Sequence, residues 1–162
     1  MLIHPAKLED ARSLAAIIAA IAPEGTIGPE PPVDIAARTK RFSDEIEAQA
    51  PNATWVLEDN GRIVGYANVR ETASGVLCLA MAILPAGRGQ GGGRALLEIV
   101  LQHARDCAAH KVELEVWPDN VRAIALYASA GFEVEGIRRN HYRRKAGTLR
   151  GAMIMAKHLS GD

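Results

Sequence analysis

A chain of 162 residues, 48% hydrophobic and 23% charged, is long enough to bury a core as one domain spanning 1–162, with the ordinary composition of a soluble globular protein. Its 19 basic residues balance 19 acidic ones, so whole-chain charge argues neither for nor against nucleic acid. The two cysteines, Cys78 and Cys107, are neither a disulfide nor a metal framework and suit a reducing, cytoplasmic compartment.

Residues 2–6 read as a short strand and 8–22 as a helix broken at Pro23. The apolar run Leu14–Ala22 mimics a signal peptide, but its flank carries Glu9 and Asp10 where a secretory flank is basic. Leu14, Ile18 and Ile21 recur at helical spacing, so the run is read as a core helix. No run reaches the ~20 apolar residues of a membrane span. Residues 24–32, rich in Gly and Pro, form a loop. Asp34 then caps a second helix, to about Gln49, with Ile35, Thr39, Phe42 and Ile46 on one face. Two strands joined through Asp59-Asn60-Gly61 make a hairpin. The nearly continuous apolar run 76–84 predicts a central strand buried on both faces.

Five glycines then fall within 87–93, and an amphipathic helix runs to about Ala109, with Leu96, Val100, Ala104 and Ala108 on its stripe. The strand at 111–117 completes a βαβ unit, so it pairs parallel to 76–84. A short helix at 121–130 stops at Gly131, and strands near 132–138 and 152–159 finish the sheet. The fold class is α/β: a single mixed, mostly antiparallel sheet of six to seven strands, flanked by helices, with a central parallel βαβ pair.

Strand, glycine-rich loop, helix is a general anion cradle, because unpaired N–H groups and the helix dipole converge there. Arg88 and Arg94 flank it. A P-loop is excluded, since Arg94-Ala95 follows Gly93 where Lys-Ser/Thr is required. A dinucleotide fingerprint is disfavoured, because no acidic residue ends the next strand at the needed distance.

Arg88-x-x-Gly91-x-Gly93 is followed by Asn120-x-x-Ala123-x-x-x-Tyr127-x-x-x-Gly131-Phe132. The two motifs in tandem resemble the GNAT superfamily of acyl-CoA-dependent N-acetyltransferases, over 2–159 in element order and most strongly over 76–132. The resemblance implies acetyl-CoA as co-substrate and no metal. It implies a pyrophosphate on the loop Arg88, Gly89, Gln90, Gly91, Gly92, Gly93 and Arg94, where bare backbone leaves room for the phosphates. The pantetheine arm would pair like an extra strand at Ile83 and Leu84, with the N–H near Ile83 aimed at the thioester carbonyl. Asn120 would hold the arm, and is equally a helix N-cap. Tyr127 matches the tyrosine that protonates the departing thiolate, and on the residues by themselves it is equally a core side chain.

The general base is open. Many members place a glutamate on the strand matching 76–83, and here there is none. Glu115, Glu113 and Glu71 are the candidates, with Glu115 taken as catalytic. The acceptor expected is a small-molecule primary amine attacking directly in a ternary complex, with a protein N terminus as the nearest alternative and a non-catalytic acyl-CoA sensor as another. Loop 22–32 and the second helix would wall the acceptor site. Nucleic acid and membrane are not expected as partners, although an RNA contact through 138–150 stays a third reading, and a homodimer is left open. The six cations Arg138, Arg139, Arg143, Arg144, Lys145 and Arg150 would favour an acid-bearing acceptor if they face the cleft.

Overall fold

The computed structural model describes residues 1–159. In chain order the elements are β1 (Leu2–Pro5), α1 (Ala11–Ile21), α2 (Ile35–Glu47), β2 (Ala53–Asp59), β3 (Arg62–Ala73), β4 (Val76–Ile83), α3 (Gly92–Asp106), β5 (Lys111–Val116), α4 (Val121–Ser129), β6 (Glu133–Arg143) and β7 (Leu149–His158). One seven-stranded sheet runs in the order β1-β2-β3-β4-β5-β7-β6. Every neighbouring pair is antiparallel except β4 and β5, the parallel pair joined through α3. The expected architecture is the observed one, with seven strands.

Local chemistry explains the boundaries. Asp34 Oδ1 accepts the Ala37 N–H at 2.9 Å and so starts α2 where the cap was read. Asn60 and Gly61 both take positive φ, 48° and 75°, the conformation a tight hairpin between twisted strands requires. The apolar run of α1 turns Leu14, Ile17, Ile18 and Ile21 into the core, as a helix of the fold.

Apolar side chains fill both faces of the sheet. On one face, Leu96, Leu97, Val100 and Ala104 of α3 pack on Leu57, Leu77, Val112 and Leu114, with Tyr127 of α4 and Phe132 beside them. On the other, α1 and Phe42 of α2 cover Val56, Tyr66 and Ala82.

Two expectations are corrected. α3 ends at Asp106, before the predicted Ala109, and Ala108 sits at φ 55° outside the helix, where the chain turns to let His110 N–H reach Gly75 O at 2.9 Å. β6 and β7 are longer than read. β6 is an edge strand exposed along most of its length, so hydrophobic alternation was missing where both faces are wet.

Leu96 is 0% exposed in the centre of the α3 layer. Leu96→Ala is expected to lower unfolding stability by about 3 kcal/mol, through lost burial and the cavity left behind. Urea denaturation checks this; a loss under about 1 kcal/mol would mean that α3 packs loosely on the sheet.

Candidate active site

Between β4 and α3 the chain makes a 3₁₀ turn at Pro85–Gly87 and then the glycine loop. The five glycines answer two different needs. Gly89 and Gly91 adopt φ of 73° and 84°, and a Cβ built on either would meet nothing within 4 Å: they give the turn its shape beside open space. A Cβ on Gly92 would lie 2.5 Å from Leu57 Cδ2, and one on Gly93 2.9 Å from Leu126 Cδ2, so these two let α3 approach β2 and α4 closely. Gly87 likewise abuts Val64. Among the described residues, the backbone N–H groups of Gly89 through Arg94 meet no backbone acceptor, and the first helical N–H to find one is Ala95, at Gly91 O. This row of free donors at the positive end of a helix, beside open space, fits an anion such as a pyrophosphate.

Two of the loop's side chains, the half-buried Arg88 and the exposed Gln90, bond back to the chain. Arg88 Nε donates to Ile83 O at 2.8 Å, and its guanidinium pairs with Glu24 at 2.9 Å. Gln90 donates to Ala86 O at 2.9 Å. Arg94, exposed, makes only a long contact to Ser129 Oγ at 3.4 Å. Arg88 and Gln90 therefore shape the loop, and Arg94 keeps its charge toward solvent.

The sheet opens beside this loop. β4 and β5 pair only from Val76 to Cys78 and Lys111 to Glu113. Beyond that point the last five residues of β4 and the last three of β5 have no partner between them. Leu84 N–H returns to Val64 O at 2.8 Å, so the N–H of Ile83, one residue earlier, points to the opposite edge, into the gap. Both backbone groups of Leu84 are engaged, the second as acceptor from Gly87 N at 2.9 Å. Ala80 lies exposed in the middle of this central strand and marks the floor of a cleft.

The remaining predicted residues lie on α4, β3 and β5. Asn120 caps α4, accepting from Ala123 N at 3.3 Å, and its amide reaches Thr26 O at 3.4 Å. Tyr127 is 7% exposed and packs near Phe132 at 5.9 Å between ring centres. Among the described residues no fully buried side-chain oxygen or nitrogen lacks a partner. Tyr127 makes no side-chain hydrogen bond, so its hydroxyl tip is the part left accessible. Burial pushes that phenol up to about 12.

The three carboxylates separate cleanly. Glu71 accepts the Gly75 N–H at 3.0 Å and closes the β3–β4 turn. Glu113 lies 3.4 Å from Lys111 and takes Thr72 Oγ1 at 3.4 Å. Glu115 stands on β5 past the point where the strands part; it receives the Tyr142 hydroxyl and, at 3.1 Å, Arg138 Nε. That hydrogen bond to Glu115, with partial burial, raises the Tyr142 phenol.

Three of the six cations of the basic stretch, Arg144, Lys145 and Arg150, are engaged by the loop at 24–32. Arg144 donates to Gly28 O at 2.8 Å and lies 3.6 Å from Glu30. Lys145 holds Glu30 and the Glu30 and Pro31 carbonyls, and Arg150 holds Gly25 O at 2.9 Å and Asp119 at 2.8 Å. The Arg150 and Arg144 guanidiniums lie 4.2 and 5.2 Å from the Trp117 ring centre. Loop 24–32 is thus a strap, tied to Arg88 at one end and to the β6–β7 hairpin at the other. Sequence reasoning placed this loop at the acceptor wall but missed Glu24 as the partner of Arg88, 64 residues away, for which no local signal exists. It also missed Tyr142 as the partner of Glu115.

The acetyltransferase (GNAT) family matches residues 19–132. The [ribosomal protein bS18]-alanine N-acetyltransferase of Escherichia coli K12 is 36% identical over 104 residues, 64% of this chain and 70% of that one. The crystal structure of the ribosomal-protein-alanine N-acetyltransferase from Brucella melitensis superposes with a TM-score of 0.85 at 26% identity, covering 98% of this chain and all of the other. A GNAT superfamily phosphinothricin acetyltransferase from Sinorhizobium meliloti, solved with acetyl-CoA, shares the fold at a TM-score of 0.84 and 22% identity, over 98% of this chain and 88% of that one. Among the described residues no helix is long and apolar enough to cross a membrane.

All three tyrosines, Tyr66, Tyr127 and Tyr142, have phenols raised above the usual value, the first two chiefly by burial. The folded protein therefore holds these protons where the unfolded chain, titrating near ~10, has lost them. Their contribution to stability is full below pH ~10 and falls as pH rises from there through about 12 for Tyr127. Phenolate absorbance near pH ~10.5 should be small in the native protein and appear on unfolding. A native titration centred on ~10 would show that these rings are wet.

Proposed function

The chain belongs to the GNAT family of acetyltransferases and transfers acetyl from acetyl-CoA to an amine; on that premise we propose that the acceptor is the α-amine of a protein or peptide N terminus. The observations that carry this are the 36% identity to an enzyme named a ribosomal protein bS18 alanine N-acetyltransferase and the 36% identity to a Mycobacterium tuberculosis enzyme named an N-alpha-acetyltransferase. This reverses the order expected from sequence, where a small-molecule amine stood first.

The chemistry of the cleft supports the same reading. On the face that β4 turns toward α1 and α2 the side chains are Cys78, the exposed Ala80 and the buried Ala82, and none is a carboxylate. A lysine-type amine, with pKa near ~10.4, needs strong help to lose its proton. An α-amine, near ~7.7–8.0, is already substantially neutral at working pH and needs only a modest acceptor. Glu115, held by Arg138 and Tyr142 at the mouth of the gap, is suited to that lighter task, directly or through a water.

Bound acetyl-CoA supplies the activated thioester carbonyl. The N–H groups of Gly89 to Arg94 and the Arg94 guanidinium would hold its pyrophosphate, and Asn120 would hold its arm. The Ile83 N–H, facing the gap, would stabilise negative charge developing on the carbonyl oxygen. Tyr127 keeps its proton at every working pH and gives it to the departing sulfur. The same water-poor setting that lifts its phenol also raises a thiolate's basicity, which keeps the transfer feasible.

With acetyl-CoA and a peptide that begins with Ala and carries an internal Lys, mass spectrometry should place the acetyl group on the α-nitrogen. Acetylation confined to lysine, or to small amines, would overturn the reading. Two variants test the assigned roles. Gly91→Glu should abolish acetyl-CoA binding by calorimetry while the fold persists, since its side chain meets no neighbour but strains the φ 84° turn and brings negative charge to the cradle; unchanged affinity would reduce the loop to a turn. Tyr127→Phe should lower kcat by about 10²–10⁴ with little change in acetyl-CoA affinity. Activity within about threefold of the original would leave Tyr127 a core side chain.

A further inference from the structure

A cavity of about 330 Å³ lies between the strap and α2, with Pro29, Pro32, Val33 and Ala37 among its lining residues. Two guanidiniums, Arg38 and Arg41, also line it, one helical turn apart. Arg38 is half-buried, and no hydrogen bond or ion pair engages it among the described residues. Arg41 uses its Nε on Glu45 at 2.9 Å and leaves its two terminal nitrogens free. The cavity's two carboxylates are committed elsewhere. Glu30 receives the Lys145 N–H at 3.0 Å and faces Arg144, while Asp34 caps α2. The formal charges of the lining balance, two carboxylates against two guanidiniums, but the Arg38 guanidinium and the terminal nitrogens of the largely exposed Arg41 are donors without a partner among the described residues, open to a carboxylate from outside.

This site stands beside the reaction centre. Glu45, which orients Arg41, also accepts the Asn68 amide at 2.6 Å. Asn68 on β3 is the register partner of Ala80, the exposed floor of the cleft. An extended peptide advances ~3.3 Å per residue. Its second to fourth side chains can then reach the cavity while its amine remains at the gap.

We propose that Arg38 and Arg41 form a specificity subsite for an acidic side chain at the second to fourth position of the acceptor peptide. This rests on the reading of the acceptor as a peptide N terminus. A carboxylate matches the forked donors of two guanidiniums, and a free amino acid cannot use them, because its carboxylate is bonded next to the amine.

The test uses the full chain, acetyl-CoA and matched peptides beginning with Ala. They carry Glu, Gln or Lys at one of positions two to four, with free glutamate as a separate arm. In a thiol-release assay at low salt, the best Glu peptide should exceed its Gln counterpart about tenfold in kcat/KM, with Lys lower still, and the gap should narrow as salt rises. In Arg38→Ala/Arg41→Ala the Glu-to-Gln ratio should fall toward one; in Arg38→Glu/Arg41→Glu the order of Glu and Lys should invert. Calorimetric binding of acetyl-CoA shows that each variant is folded. Equal rates on Glu and Gln peptides in the original protein, a preference that survives in the double alanine variant, or free glutamate outrunning every peptide would overturn the subsite. Failure of all peptides alongside turnover of a simple amine would overturn the peptide reading itself, a different result from peptides acetylated without acidic preference.

Discussion

Backbone groups that lose a strand partner must find another or stay wet, and this demand falls in the middle of the sheet. β4 and β5 share only three register pairs before they part. The glycine loop begins where β4 ends, so the free N–H groups at the start of α3 adjoin the same opening. Ile83 turns its N–H into the gap because Leu84 must turn its own back to Val64. Ala80 is exposed in a strand that would otherwise be covered, and Glu115 gains access to the cleft only because it lies beyond the parting. Had the pairing continued to Val116, the donor groups would have been consumed in the ladder.

The strap over this opening is held by a different kind of interaction. Exposed ion pairs contribute about 0–1 kcal/mol each, whereas fixing each backbone residue costs about 1–2 kcal/mol. Glu24–Arg88, Glu30–Arg144 and Arg150–Asp119 are therefore better understood as positioning contacts than as a source of stability. Pro23, Pro29, Pro31 and Pro32 reduce the entropy that ordering removes, since they restrict the unfolded chain as well. The stacking of Arg144 and Arg150 on the nearly buried Trp117 adds a contact that salt screens less.

The two faces of the sheet divide the work. The face under α3 and α4 carries the denser apolar packing and delivers Tyr127 with its ring anchored and its hydroxyl tip open. The opposite face is covered by α1 and α2 only over β1 to β4; further on it bears Glu113, Glu115 and the β6–β7 hairpin. On the proposed reading, that asymmetry would give a rigid side for the donor and a more polar, loop-covered side for the acceptor. The anion cradle needs fixed N–H directions, whereas acceptor recognition tolerates adjustable side chains.

How far the sequence could be read follows the same division. The apolar run 76–84, the glycine cluster and the Asn120 to Tyr127 spacing are local signals, and each falls on the element expected for it, β4, the start of α3 and α4. The βαβ handover made β4 and β5 neighbours, but nothing local said that they would stay paired for only three residues. Charge was the hardest feature to read, because a field depends on which neighbours cancel. The dense basic run 138–150 looked like the source of a positive cleft, yet Arg144, Lys145 and Arg150 are matched by carbonyls and carboxylates of a loop more than 100 residues earlier in the chain. Arg38 and Arg41 sit in an amphipathic helix whose sequence shows nothing unusual, and theirs are the guanidinium donors left over in the hollow beside the strap. Density along the chain measures how many cations are present; the field in a cleft is set by the ones that tertiary structure leaves without partners.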